Sequence, residues 1–217
     1  MATPFPENDL VRLRQIWRRS FALGLMGIAL CGCSFDLGSM LPEKDKPQEA
    51  PKAAAAPSDS AVSPSNVNEA QAHTTKGQTL AKSGNAAGAL EEFDRAVALD
   101  PYNAQALYGR ALIYQGNNEH NFAIADFSAA NGLNPQKAEP LLGRATSYLA
   151  IGKVKEAAAD LDEASEADPH NAQVWTTRGQ AYERLGDKAK AAASYNKAVA
   201  LRPRDDAARN GLTRVGG

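Results

Sequence analysis

Few residues in this 217-residue sequence could do covalent or metal chemistry, and their spacing restricts them further. Cys31 and Cys33, its two cysteines, stand one residue apart. They can build neither a disulfide framework nor a four-ligand zinc site. The three histidines, His73, His120 and His170, are far apart in the chain. His120 falls in an Asn-rich turn and His170 follows Pro169, so both read as surface residues. No HExxH helix, phosphate-cradling glycine loop or GxSxG elbow occurs. The chain therefore reads as non-enzymatic, with no metal and no cofactor. Ion pairing is what remains. Lys76, Arg110, Arg144 and Arg178 recur every 34 residues, and Glu92, Asp126 and Asp160 follow the first three by sixteen. Two chemistries fit that column: a clamp for an anion or carboxylate, or internal salt bridges. The pairing is favoured, and exposed pairs of this kind contribute only about 0–1 kcal/mol each. Ser194 stands where the acid opposite Arg178 would be, so Arg178 is the cation expected to be freest for a ligand.

Composition agrees with this reading. Lys+Arg number 24 against 25 Asp+Glu, whereas nucleic-acid binders carry a basic excess. Aromatics make up 6% and the hydrophobic share is 43%, much of it alanine, which leans helical.

The elements that must position these residues begin with an address. Arg12, Arg14, Arg18 and Arg19 precede an uncharged apolar run from Phe21 to Leu30. Ten residues are too few for a membrane-spanning helix, which needs about 20. A basic flank, a short apolar core and a small-residue exit describe a secretory signal; the alternative is an uncleaved anchor. The exit, Leu30-Cys31-Gly32-Cys33, resembles the bacterial lipobox. That resemblance implies that Cys33 carries a diacylglycerol, that the chain is cut before it, and that its new amine is acylated. Cys31 does not fit, because Leu30 precedes it where a small residue belongs. The other reading is an ordinary signal with two small residues. Acyl chains contribute about 0.8 kcal/mol per buried CH₂, so two or three of them anchor firmly. Ser34, rather than Asp, after Cys33 implies the outer membrane, facing the periplasm, with an inner-membrane anchor or a periplasmic location as alternatives. Loss of this segment removes four arginines, Glu7 and Asp9, leaving 20 basic residues against 23 acidic ones. That balance gives no sign of a second, electrostatic attachment to lipid.

Residues 33–69 then read as the lipidated Cys and a tether. Pro42, Pro47, Pro51, Pro57 and Pro64, the Ala53–Ala56 run and scattered serines leave no apolar periodicity. Such a segment buries too little to offset chain entropy and is expected to be disordered. About 35 residues of coil reach roughly 30–35 Å. A spacer is the simplest role; a wall-contacting or partner-binding segment is the alternative.

From residue 70 the chain repeats. Pro101, Pro135, Pro169 and Pro203 are each 34 apart. Gly77, Ala111, Ala145 and Gly179 form a tiny-residue column, followed three residues on by Leu80, Tyr114, Tyr148 and Tyr182. A second set holds Ala89, Ala123, Ala157 and Ala191, then Phe93, Phe127, Leu161 and Tyr195, then Ala96, Ala130, Ala164 and Ala198. His73, Leu107, Leu141 and Trp175 open the first helices. Tiny residues let two helices approach, bulky ones fill between hairpins, and proline stops the second helix. Gly84, Gly152 and Gly186 end first helices, with Asn118 in their place in repeat two. This predicts helices near 70–83, 86–99, 104–117, 120–133, 138–151, 154–167, 172–185 and 188–201. Asp205 caps a short last helix with Ala208, Leu212 and Val215 on one side.

A 34-residue period with these columns resembles the tetratricopeptide repeat (TPR) family. The resemblance implies an all-α, right-handed superhelical solenoid over 70–217. It has four helix-turn-helix repeats (70–103, 104–137, 138–171, 172–205) and a capping helix at 206–215. With the lipobox, the whole chain resembles TPR lipoproteins of Gram-negative, alphaproteobacterial envelopes. In that family the first helices line a groove for a peptide or protein partner. The residues expected there are Gln71, Gln105, Glu139 and Gln173; Tyr108, Leu142 and Thr176; and Gln78, Leu112, Thr146 and Gln180. Arg178 is the cation expected to join them. The groove is amide-rich and nearly neutral. The Lys/Asn/Arg set by which chaperone-binding members hold a terminal carboxylate is not reproduced. The function implied is an anchored scaffold that binds periplasmic proteins and supports envelope assembly or integrity. Alternatives are an assembly lipoprotein of a Flp/Tad-type pilus or secretion system, or an adaptor of peptidoglycan hydrolases or proteases. Nothing in the sequence fixes the oligomeric state.

Overall fold

The structure, a computed structural model, describes residues 63–216. Cys33, the signal and the tether up to residue 62 lie outside the described residues. Nine α-helices follow one another among the described residues. They are α1 (Pro64–Lys82), α2 (Ala86–Leu99), α3 (Ala104–Gly116), α4 (His120–Leu133), α5 (Ala138–Ala150), α6 (Val154–Ala167), α7 (Ala172–Leu185), α8 (Lys188–Leu201) and α9 (Asp206–Val215). Each helix packs only on those one or two places along the chain, the one-dimensional organisation of a solenoid.

Local chemistry sets the boundaries. The N-cap side chains of Asn85, Asn103, Asn171, Asp187 and Asp205 each accept a backbone N–H in the first turn of their helices. The second helices end at residues 99, 133, 167 and 201, two residues before each periodic proline. The turns inside the hairpins need left-handed backbone, where a Cβ is costly. Gly84, Gly152 and Gly186 have φ near +80°, and Asn118 takes the same role at φ +63°.

One boundary differs from the sequence reading. Residues 64–69, assigned to the tether, are helical. Ser63 Oγ accepts the Asn66 N–H at 3.3 Å, and Pro64 occupies the first helical position, where its missing N–H and fixed φ are no handicap.

The core is a row of rings and small residues. Phe93, Phe127, Leu161 and Tyr195 are essentially fully buried, with alanines flanking them on every second helix. Each large side chain lies between the first helix of its own repeat and that of the next. A Cβ on Gly109 would come within 2.5 Å of the Phe93 ring. One on Gly143 would come within 2.4 Å of Phe127, and one on Gly211 within 2.3 Å of Tyr195. The fourth member of this column is Thr177, whose periodic counterpart on the preceding second helix is the smaller Leu161. α9 thus occupies the position of a first helix of a fifth repeat, with Ala208 and Gly211 buried.

Candidate functional site

The cation column is consumed by pairing, and its three arginines turn inward while Lys76 stays exposed. Lys76 Nζ lies 2.9 Å from Glu92 Oε1. Arg110 donates from Nε and Nη2 to both oxygens of Asp126 at 2.7 and 2.9 Å, and from Nη1 to Asp94 at 2.9 Å. Arg144 donates in the same bidentate way to Asp160 at 2.7 and 2.8 Å, and to Ser128 Oγ at 3.1 Å. The Asp160 hydrogen bonds outweigh burial and hold the Arg144 pKa above its ordinary value. Each arginine therefore joins two second helices: its own, sixteen residues on, and the preceding one, sixteen residues back.

That second contact corrects the expectation for Arg178. Ser194 does replace the acid of its own repeat, and its Oγ accepts from Nη1 at 2.7 Å. Asp162 of the preceding repeat takes Nε at 2.7 Å, and the guanidinium lies over Tyr182 and Trp175 at 4.9 and 5.5 Å. The side chain is 18% exposed. Arg178 is the neighbour-to-neighbour link of repeats three and four, and not the freest cation of the column.

Repeat one closes its end differently. His73 Nδ1 sits 2.6 Å from Glu92 Oε2, and Arg95 Nη1 lies 3.0 Å from Oε1. Hydrogen bonds from His73 and Lys76 hold the Glu92 pKa down at about 2. His170 is exposed, and His120 is half-buried at the start of α4. No group of three or more metal-ligating side chains occurs among the described residues.

The groove residues are distributed as follows. Gln71, Gln105, Glu139, Gln173, Leu112 and Thr146 are exposed, and Tyr108, Leu142, Gln78 and Gln180 are half-buried. Thr176 is the exception. It is 2% exposed, donates to Ala172 O at 3.0 Å, and lies 2.7 Å from Asp205 Oδ2, the N-cap of α9. Thr74, in the same column, likewise meets Asn103, the N-cap of α3, at 3.1 Å. A short hydroxyl side chain reaches the next cap, and so is buried where Tyr108 and Leu142 of the same column are only half-buried.

A cleft of about 610 Å³ brings Gln71, Gln105, Tyr108 and Glu139 together. Gln173, Gln180, Gln78, Leu142, Leu112 and Thr146 are not part of it. The cleft is completed by Val67, Tyr102, Asn103, Asn134, Lys137 and Pro140, among others. Sequence reasoning passed over Tyr102, which is 61% exposed, because it followed helix faces and not the loops after each proline. Val67 was hidden by its tether-like neighbours. Burial and the nearby Glu139 carboxylate raise the Tyr108 pKa, so its hydroxyl stays protonated and can donate. The side chains of Gln71, Gln105 and Glu139 make no hydrogen bond among the described residues, so their polar groups face solvent. Such a surface can take a polypeptide backbone against amides and the rings of Tyr102 and Tyr108.

A family model of the tetratricopeptide repeat matches residues 74–138 and 142–206. No curated protein sequence matches the chain. Among solved structures the chain is similar to the crystal structure of MamA protein, at 20% identity and a TM-score of 0.63. That match covers 68% of this chain and 81% of that one. It is also similar to TTC0263, a thermophilic TPR protein of Thermus thermophilus, at 25% identity and a TM-score of 0.57, covering 67% and 80%. A third similar structure is the first TPR of Spaghetti (RPAP3) bound to the HSP90 peptide SRMEEVD. It is 23% identical with a TM-score of 0.54, covering 55% and 95%.

Proposed function

From the premise that this chain belongs to the tetratricopeptide repeat family, whose members mediate protein–protein interaction, we propose that it is a non-enzymatic, membrane-anchored scaffold. It holds a periplasmic protein partner in its concave groove and supports cell-envelope assembly or integrity. One observation carries the binding half: the cleft where Gln71, Gln105, Tyr108 and Glu139 converge with their polar groups turned to solvent. Amides suit the N–H and C=O groups of an extended segment, and Tyr108 adds apolar area with a donor at its tip. The RPAP3 domain, solved with a bound peptide, supports peptide capture as the mode. The anchoring half is supported by the signal-like N-terminus and the lipobox-like Leu30–Cys33.

Both halves are tested in the cells the chain comes from. A photo-crosslinking residue at Gln105 captures a discrete protein partner, and the same residue at the exposed Glu163 of α6 does not. Equal capture at both positions, or none at either, defeats the groove reading. Separately, the parent incorporates labelled fatty acid and sediments with outer membrane, and Cys33→Ala does neither. An unlabelled parent that stays soluble defeats the anchor.

A further inference from the structure

The turns inside the third and fourth hairpins carry a charge pattern that the groove does not use and that the fold uses chiefly through Arg184. Residues 150–156 and 184–190 hold five cations, Lys153, Lys155, Arg184, Lys188 and Lys190, and two acids, Glu156 and Asp187. The corresponding turns of repeats one and two hold Lys82 and Glu119 amid residues with no formal charge. All five cations are exposed. Ile151 and Leu185 stand at the tips of the same two turns, 37% and 39% exposed. The turns abut, since Arg184 Nη1 donates to Leu149 O at 2.9 Å across them. Asp187 is already engaged, accepting the Lys190 backbone N–H at 3.0 Å.

Folding does not explain the lysines. Lys153 is the N-cap residue of α6 and makes no capping bond there, and Lys155 lies in its first turn. Lys188 and Lys190 lie in the first turn of α8. A cation at these positions opposes the helix dipole. Lys153 and Lys190 do reach the Tyr148 and Tyr182 rings, at 5.9 and 4.8 Å, and Lys190 Nζ lies 3.8 Å from Asp187 Oδ2, but both lysines remain exposed, where such contacts contribute little. Two aliphatic tips among lysines on a protruding edge match a planar surface with an anionic headgroup layer over hydrocarbon. There lysine stems lie along apolar material while the ammonium groups meet anions. A concave acidic site would need no aliphatic tips. We infer that the turn edge of repeats three and four docks on an anionic lipid bilayer. The near-neutral balance of the whole chain conceals this edge. Such a contact is weak alone and gains from any anchor that holds the chain near the membrane.

The test uses the full chain with Cys33→Ala, so the outcome is independent of acylation and failure leaves the anchored scaffold standing. Co-sedimentation is measured with phosphatidylcholine vesicles containing about 30% phosphatidylglycerol, with pure phosphatidylcholine vesicles, and with soluble polyglutamate as competitor. Replacing Lys153, Lys155, Lys188 and Lys190 by Gln lowers affinity for the anionic vesicles at least about tenfold, a conservative bound, since four lysines at an anionic surface supply up to about a thousandfold. The same charge change at Lys197, Arg202, Arg204 and Arg209 leaves affinity within about twofold, and the arginine-rich N-terminus is common to both proteins. The quadruple lysine variant also unfolds at the same or a higher temperature, which excludes misfolding as the cause. Equal losses in both variants, or none in either, overturn the proposal. So does an effect confined to polyglutamate, which would make the edge an acidic-protein site.

Discussion

One large side chain per repeat sets how closely successive hairpins approach. Phe127 meets Gly143 so tightly that a Cβ there would stand 2.4 Å from the ring, whereas the periodic counterparts of this pair in the next repeat are Leu161 and Thr177. Gly143→Thr should therefore cost about 1–3 kcal/mol by overpacking. Phe127→Leu in the same chain should return much of that, since it recreates the Leu161/Thr177 pair. Urea unfolding of the two single variants and the double variant measures the coupling, and strictly additive losses would refute the size match. The link between repeats gives a second residue-level expectation. Asp162→Ala should destabilise by about 1–2 kcal/mol and more than Ser194→Ala, because Asp162 also accepts from Tyr182 at 2.7 Å; thermal unfolding ranks the two. At this scale the sequence was half legible. Asn118 could be placed in the left-handed turn because its three periodic counterparts are glycine. The Gly109/Gly143/Thr177/Gly211 column could not, because its partner lies on the preceding helix and its meaning depends on that partner's size.

Helix ends in the array were readable where a cap or a proline marks them, and α1 shows why one was not. Ser63-Pro64 is a strong start signal buried in a proline-rich, serine-rich stretch, so composition masked it. The other end is held by chemistry that titrates. Arg214 of α9 donates to both oxygens of Glu183 at 2.7 and 2.9 Å, and Tyr195 donates to the same carboxylate at 2.6 Å. The Arg214 hydrogen bonds, with help from Tyr195, hold the Glu183 pKa at about 2, against an ordinary 4.5. A carboxylate depressed by folding stabilises above its unfolded pKa and stops doing so as pH falls through its folded one. The contribution of this contact is thus complete above about pH 4.5 and vanishes toward pH 2. With Arg214 55% exposed, solvent screening keeps it to the modest contribution of a surface pair. Glu183→Gln should lower stability at pH 7 by that amount and flatten the acid limb of the stability curve between pH 4.5 and 2. Chemical denaturation across that range reads it, and an unchanged acid limb in the variant would show that Glu183 does not carry the effect.

In the whole array, number of repeats and period were legible because four prolines and eight alanine positions keep the same spacing. The groove was less so. Exposed helix positions could be listed by register, but which of them a cleft gathers depends on the loops after each proline and on how far neighbouring hairpins open. A solenoid in which each helix touches only near neighbours also makes a prediction about damage. Ending the chain at Arg204 removes α9, and with it the helix that covers Tyr195 and meets Thr176 through Asp205. Nearest-neighbour stability then requires the loss to be local. Backbone amides of α7 and α8 should exchange at least about tenfold faster, because their burial now ends at an open face. Amides of α1 to α4 should keep their protection, since no contact of theirs has changed. Hydrogen exchange followed peptide by peptide decides this. A uniform loss of protection would mean that the four repeats fold as one cooperative block, and the cleft at repeats one to three would then depend on the far end of the chain. A graded loss from α8 back toward α5 leaves the cleft intact, so that partner capture through Gln105 should survive in the shortened chain.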